Sequence, residues 1–216
     1  MAGVILGIDT SSALTSVAMI GDAGEVLLSR EHLDPRRHAE VIGPLLAEVV
    51  AGAPRATVVA CGVGPGPYTG LRVGIATALA LGVAWGVPVH GLCSLDAVAA
   101  EALAKRPGQP VTVAVDARRS EVYWASYDSE GRRVTGPRVG PADASEGAVT
   151  SHPHAVWVAR QVQDLLRAGR VPTEIDAPLD AHGTDTGATA QALAGADLLL
   201  PRPLYLRRPD AVAALP

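Results

Sequence analysis

The sequence has little of what secreted, hydrolytic or metal-dependent proteins require. Its 216 residues hold two cysteines, Cys61 and Cys93, both in apolar surroundings and without metal-ligand spacing. That excludes a disulfide framework and reads as reduced core thiols in a cytoplasmic protein. Basic residues are not in excess: 18 Lys and Arg stand against 22 Asp and Glu, a net charge of −4. The chain therefore lacks the footprint of an autonomous nucleic-acid binder, with local basic pairs only at Arg118-Arg119 and Arg207-Arg208. It has no Gly-x-Ser-x-Gly elbow for a serine nucleophile, no His-x-x-x-His pair for zinc and no Walker lysine followed by Ser or Thr. His152-Pro-His154 is too isolated for a metal site. Met1 to Asp9 shows no basic n-region or cleavage site, so no signal peptide is read there. Val73 to Val89 falls short of the about 20 residues of a membrane span and includes Pro88, which predicts a buried helix running into a strand and no membrane partner.

What is present is enough apolar residue, 48% of the chain, for one large or two small domains. Val4 to Ile8 reads as a buried strand ending in Asp9, followed by the hydroxyl-rich turn Thr10-Ser11-Ser12. Ser16 to Ile20 and Glu25 to Leu33 flank Gly21-Asp22-Ala23-Gly24 as a hairpin. An apolar stripe predicts a helix from His38 to Ala51, kinked at Pro44. Thr57 to Cys61 and Val87 to Leu92 are further strands, Ser94 caps a helix to Lys105, and Arg106 to Pro110 is a linker. Val111 to Val115 then runs into Asp116 as the first strand runs into Asp9. A strand at Val122 to Tyr127 follows, and a turn glycine, Gly131, sits fifteen residues after Asp116, as Gly24 does after Asp9. This points to two strand-Asp-hairpin domains, 1–106 and 107–216, the second reduced. Beyond Gly140 the pattern predicts a strand at Ala155 to Ala159 and short helices at Gln161 to Arg167 and Thr186 to Ala194. A long loop spans Val171 to Gly187, the tail Pro201 to Tyr205 returns to the body, and Asp210 to Pro216 has little to anchor it.

The most specific stretch is Cys61 to Gly82, a glycine-proline loop opening into an apolar helix with Thr69 as its N-cap. Leu71, Ile75 and Leu79 form one stripe; Gly70, Gly74, Ala78 and Gly82 form a second with almost no side chains. Three uses of that bare stripe are open: packing on the chain's own sheet, a subunit interface, or a phosphate cradle. Asp9 and Asp116, with Thr10 and Ser11, either face one another across a cleft to hold Mg²⁺ and nucleotide phosphates, or cap the turns after their strands. His38-Ala39-Glu40 is either a polar fastener at an interface or an ordinary helix start.

These segments carry a resemblance. Gly62-Val-Gly64-Pro-Gly66-Pro-Tyr-Thr-Gly70-Leu-Arg72-Val-Gly74 resembles the GPGxFTGLRxG signature of the TsaB (YeaZ) family. Gly7-Ile-Asp9-Thr10-Ser11, Arg37-His38-Ala39-Glu40, Asp116-Ala-Arg118-Arg119-Ser-Glu121-Val-Tyr123 and Pro203-Leu-Tyr205-Leu-Arg207 resemble four further segments of that family. Pro67, Tyr68 and Leu79 depart from it, where the family has Ser, Phe and Lys.

The resemblance implies an α/β, actin-like ATPase (ASKHA) superfamily fold of two ribonuclease-H-like domains. It also implies a non-catalytic role: supporting N6-threonylcarbamoyladenosine formation in tRNAs that read A-starting codons, by pairing with a TsaD-like catalytic subunit together with a TsaE-like ATPase. On the family pattern the pairing surface lies on the two N-terminal helices, here His38, Glu40, Leu45, Tyr68, Thr69, Leu71, Arg72, Gly74, Ile75 and Ala78. The expectation is a homodimer when alone, tRNA contact only through the complex, no intrinsic cofactor, and ATP or ADP with Mg²⁺ at the partner interface. Two rivals are a metalloprotease-like (glycoprotease) or ATP-hydrolysing member of the superfamily, and a ribonuclease-H-like nuclease using Asp9 and Asp116. Against the first stands Cys93-Ser-Leu-Asp-Ala-Val98, where the catalytic paralogue carries its metal-binding histidines; against the second, the placing of the two aspartates in different repeats.

Overall fold

The computed structural model describes residues 3–173 and 198–206. The expected helix at Thr186 to Ala194, most of the loop before it and the tail from Arg207 lie outside them. The first apolar run becomes β1 (Ile5–Asp9), paired antiparallel with β2 (Leu14–Ile20), which pairs antiparallel with β3 (Val26–Leu33). β4 (Val58–Gly62) lies parallel to β1 on its other side, and β5 (Val89–Leu92) parallel to β4, giving the order β3-β2-β1-β4-β5. β1, β2 and β4 are buried throughout, as expected of strands covered on both faces.

A second sheet repeats that order. β6 (Val111–Arg118), β7 (Glu121–Tyr127) and β8 (Arg133–Pro141) are consecutive antiparallel strands, and the short β9 (Val149–Thr150) lies parallel to β6, giving β8-β7-β6-β9. The two turn glycines found by spacing also match in conformation, with φ of 80° at Gly24 and 81° at Gly131.

Helices α1 (His38–Ala51) and α2 (Tyr68–Trp85) pack on one face of the first sheet, where Leu6, Ile8, Val17 and Met19 meet Ile42, Leu46, Ile75 and Ala78. The opposite face, with Ile5, Ile20, Val58 and Ala60, is covered by α4 (Ala155–Arg167) through Val158, Ala159 and Val162. α3 (Ser94–Lys105) lies against α4 and the second sheet. The α4 side approaches so closely that a Cβ at Gly7 would lie 2.3 Å from the Ala155 carbonyl oxygen.

Two local expectations are corrected. Ala155 to Ala159 is the first part of α4, not a strand: the buried positions Ala155, Val158, Ala159 and Val162 recur at helical spacing. Five apolar residues fit both periods, and the stripe emerges only when Val162 is included. Thr69 does not cap α2, which starts at Tyr68 after Pro67 with no side-chain cap, while Thr69 is exposed in the first turn. At its other end Gly86, at φ 64°, closes α2 in the left-handed conformation.

Candidate functional site

Parallel strands β1, β4 and β5 end at one edge of the first sheet, the place where open α/β sheets gather polar groups. Asp9 closes β1 and is wholly buried. Its Oδ1 accepts hydrogen bonds from the Ser11 N–H (2.8 Å) and Ser11 Oγ (2.7 Å), and its Oδ2 accepts one from Ser94 Oγ (2.8 Å). Ser94 stands just past β5, and its Oγ also accepts from the Gly64 N–H at 3.2 Å, pinning the glycine-proline loop. Oδ2 fills the space over Gly62, where a Cβ would come within 1.7 Å of it. Burial pushes the Asp9 carboxyl up to about 6, against the lowering effect of the Ser11 and Ser94 hydrogen bonds.

Thr10 and Ser11 are consumed in the same way. Thr10 Oγ1 donates to the Gly70 carbonyl at 2.7 Å, and Cβ atoms at Gly70, Gly74 and Gly66 would lie 2.5, 2.3 and 2.1 Å from Thr10 O, Thr10 Oγ1 and Ser11 O. The bare stripe of α2 is thus closed against the chain's own first sheet, at Gly70 and Gly74 by the turn after β1 and at Gly82 by Val89 of β5. Leu71, Ile75 and Ala78 are likewise buried in the chain's own core. Asp116 is exposed and its Oδ1 accepts from the Arg118 N–H at 2.8 Å, capping its turn. The side-chain oxygens of Asp9, Thr10 and Ser11 are thus engaged in hydrogen bonds within the chain, while exposed Asp116 accepts one such bond at Oδ1, and the two aspartates are not shown in contact with one another. Among the described residues no group of three or more His, Cys, Asp or Glu is placed to hold a metal ion. Cys61 and Cys93 are buried free thiols, pushed up to about 12 mainly by burial.

His38 is buried at the start of α1, with Nδ1 hydrogen-bonded to Thr15 Oγ1 at 2.7 Å and its ring beside Gly70. Burial lowers its pKa, Asp34 opposes that, and the Arg118 cation adds to it. Of the other residues expected at an interface, Glu40 is exposed and paired with Arg37, and Leu45 is half-buried. Tyr68 is half-buried too, stacked on Tyr205 with ring centroids 4.9 Å apart. The Arg72 guanidinium lies 3.8 Å from the Tyr68 ring centre, and Arg72 Nε donates to the Tyr205 hydroxyl at 3.2 Å. The segment that carries Tyr205 is held by the Leu204 N–H on the Val63 carbonyl at 2.8 Å.

The outward side of α1 carries Glu40 and Glu48 and the first turns of α2 carry Arg72, but the second half of α2 is exposed without charge. The two helices pack together, and from Val73 to Trp85 α2 has no charged side chain. Leu79 is 42% exposed, Val83 85% and Val50, on α1, 37%, while Gly43 has open space over it. Uncharged exposed faces of this kind mark docking surfaces. Of the α2 residues expected at the interface, Leu71, Gly74, Ile75 and Ala78 are buried. Leu79 and Val83 sit beyond them at i, i+4, a signal available once the bare stripe is assigned to the interior.

The fold and this strand-end cluster define an α/β protein related to the actin-like ATPase (ASKHA) superfamily. A crystal structure described as YeaZ from Pseudomonas aeruginosa superposes with a TM-score of 0.66 at 27% identity, over 77% of this chain and 93% of that one. Residues 29–177, well over half of the chain, match the family described as TsaD: tRNA N6-adenosine threonylcarbamoyltransferase. An uncharacterized protein of Mycobacterium leprae is 38% identical over 96% of this chain and 56% of its own length. The tRNA threonylcarbamoyladenosine biosynthesis protein TsaB of Escherichia coli is 34% identical over 58% of this chain and 55% of its own. The chain spans a little over half the length of these two relatives. It belongs to the TsaB (YeaZ) family.

Proposed function

We propose that this chain is a non-catalytic scaffold subunit that pairs, through the outward face of α1 and α2, with a TsaD-like catalytic subunit in N6-threonylcarbamoyladenosine modification of tRNA. The observation that carries it is the uncharged exposed face with Leu79 and Val83, on a chain whose Asp9, Thr10 and Ser11 side chains are consumed by its own hydrogen bonds. The relatedness to TsaB supports the partner and the reaction. In this reading the chain works in the cytoplasm with a TsaE-like ATPase, meets tRNA within the complex, and forms homodimers through the same face when alone. ATP or ADP with Mg²⁺ belongs to the partner interface. The repeated sheet order supports two ribonuclease-H-like domains, 1–106 and 107–216, the second reduced.

The test is reconstitution of tRNA threonylcarbamoylation from a TsaD-like subunit, a TsaE-like ATPase, ATP and threonylcarbamoyl-AMP, with and without this chain. Modification that requires the chain, with no turnover by the chain alone, is the expected result; equal modification without it contradicts the reading.

A further inference from the structure

The tip between β6 and β7 holds three consecutive residues other than glycine at positive φ: Arg118 at 61°, Arg119 at 55° and Ser120 at 60°. All three are exposed. A turn between directly paired strands needs left-handed residues, and Asn-Gly or Gly-Gly supplies them with least strain. This chain instead places two adjacent arginines there, in a protein whose net charge is −4. The Asp116 carboxylate fixes the approach by accepting from the Arg118 N–H at 2.8 Å.

The tip stands at the same end of the molecule as the start of α2. β6 and β9 run parallel toward this end, and Thr10, in the turn after β1, donates to the Gly70 carbonyl in the first turn of α2 at 2.7 Å. His152, on the segment after β9, joins the second half to the β1–β2 turn through Ser12 Oγ at 3.0 Å. Arg72, laid across the stacked Tyr68 and Tyr205, adds a further exposed cation near this end.

We propose that the Arg118-Arg119 tip contacts the phosphate backbone of the tRNA held by the complex; this rests on the function proposed above. Guanidinium groups match phosphate oxygens as paired donors, and a rigid turn reduces the freedom lost on contact. Phosphate contacts position an RNA without reading its sequence, which suits a subunit that serves a set of tRNAs. The affinity share is modest and strongly salt-dependent, in keeping with a chain whose net charge is −4.

The experiment is a salt series of tRNA affinity, by fluorescence anisotropy, for the assembled complex carrying wild-type chain or the R118A/R119A double variant. The slope of log affinity against log salt is expected to fall by about 0.7–0.9 for each contact removed, with pairing to the catalytic subunit unchanged by size-exclusion chromatography. A second variant, Arg119→Gly, suits the left-handed position, so it is expected to raise the melting temperature of the chain while weakening tRNA binding. That combination separates RNA contact from misfolding. An unchanged slope and affinity in both variants overturns the proposal, as does displacement of the RNA by ATP alone with the slope difference abolished, which would assign the arginines to a nucleotide. Failure of the wild-type chain to pair at all would show in the chromatogram and count against the proposed function instead.

Discussion

Ser94 Oγ donates to Asp9 Oδ2 at 2.8 Å, joining the end of β1 to the start of α3 across 85 residues of sequence. With Ser11 on the other oxygen, this turns a buried carboxylate into a junction of three parallel strand ends. Its protonation is therefore coupled to folding.

Burial lifts Asp9 from 3.8 to about 6, so the fold favours the protonated acid. The stability this contributes is complete below pH 4 or so and is lost as pH rises through about 6. Asp9→Asn keeps the site neutral at every pH. Urea denaturation at pH 4 and at pH 7 should show the variant gaining on the wild type by ~2 kcal/mol over that interval; parallel profiles would contradict the assignment.

Alanine at Gly74 would put a Cβ 2.3 Å from Thr10 Oγ1, whereas Gly43 has nothing within 4 Å. The helix preference of alanine over glycine, about 1 kcal/mol, is the same at both sites. Gly43→Ala should therefore stabilise the chain by roughly 0.5–1 kcal/mol, and Gly74→Ala should destabilise it by about 1–3 kcal/mol. Thermal melts of the two variants decide it; a stabilised Gly74→Ala would show that the stripe is not closed against Thr10.

The Tyr68–Tyr205 stack fastens the segment Pro203 to Leu206 onto the start of α2. A double-mutant cycle with Tyr68→Ala and Tyr205→Ala should return a coupling of about 0.5–1.5 kcal/mol. Additive effects would mean that the two rings act independently.

Asp96 and Arg133 form an ion pair whose side chains are 13% and 5% exposed, with the Tyr127 hydroxyl donating to Asp96 Oδ1 at 2.6 Å. Arg133→Met leaves a buried carboxylate without its cation and should cost about 3–5 kcal/mol. Recovery of most of that loss by adding Asp96→Leu would confirm that the penalty is the orphaned charge; no recovery would place it in packing.

Much of this fold was legible because its periods are simple. β1 to β3 follow from apolar runs and a glycine hairpin, α1 and α2 from stripes at helical spacing, and the second sheet from the Asp9–Gly24 and Asp116–Gly131 intervals. α4 was misread in its first turns because five apolar residues carry no decisive period. The candidate site was harder. Ser94 looked like a helix cap, yet its hydroxyl faces Asp9, a contact set by the parallel arrangement of β1 and β5 around β4. The bare stripe announced close packing, but its partner, the turn at Thr10 and Ser11, lies 60 residues earlier in the chain. Spacing tells that a face is smooth and leaves open what covers it.

The most direct test of the central claim is the affinity of this chain for a TsaD-like catalytic subunit, by isothermal titration, for the wild type and the Val83→Asp variant. Val83 is 85% exposed on the uncharged face of α2, so the aspartate leaves the fold intact, as an unchanged melting temperature would verify. Buried at a subunit interface, the same charge should weaken pairing at least tenfold, about 1.4 kcal/mol. Undiminished affinity with an unchanged melting temperature would contradict pairing through this face.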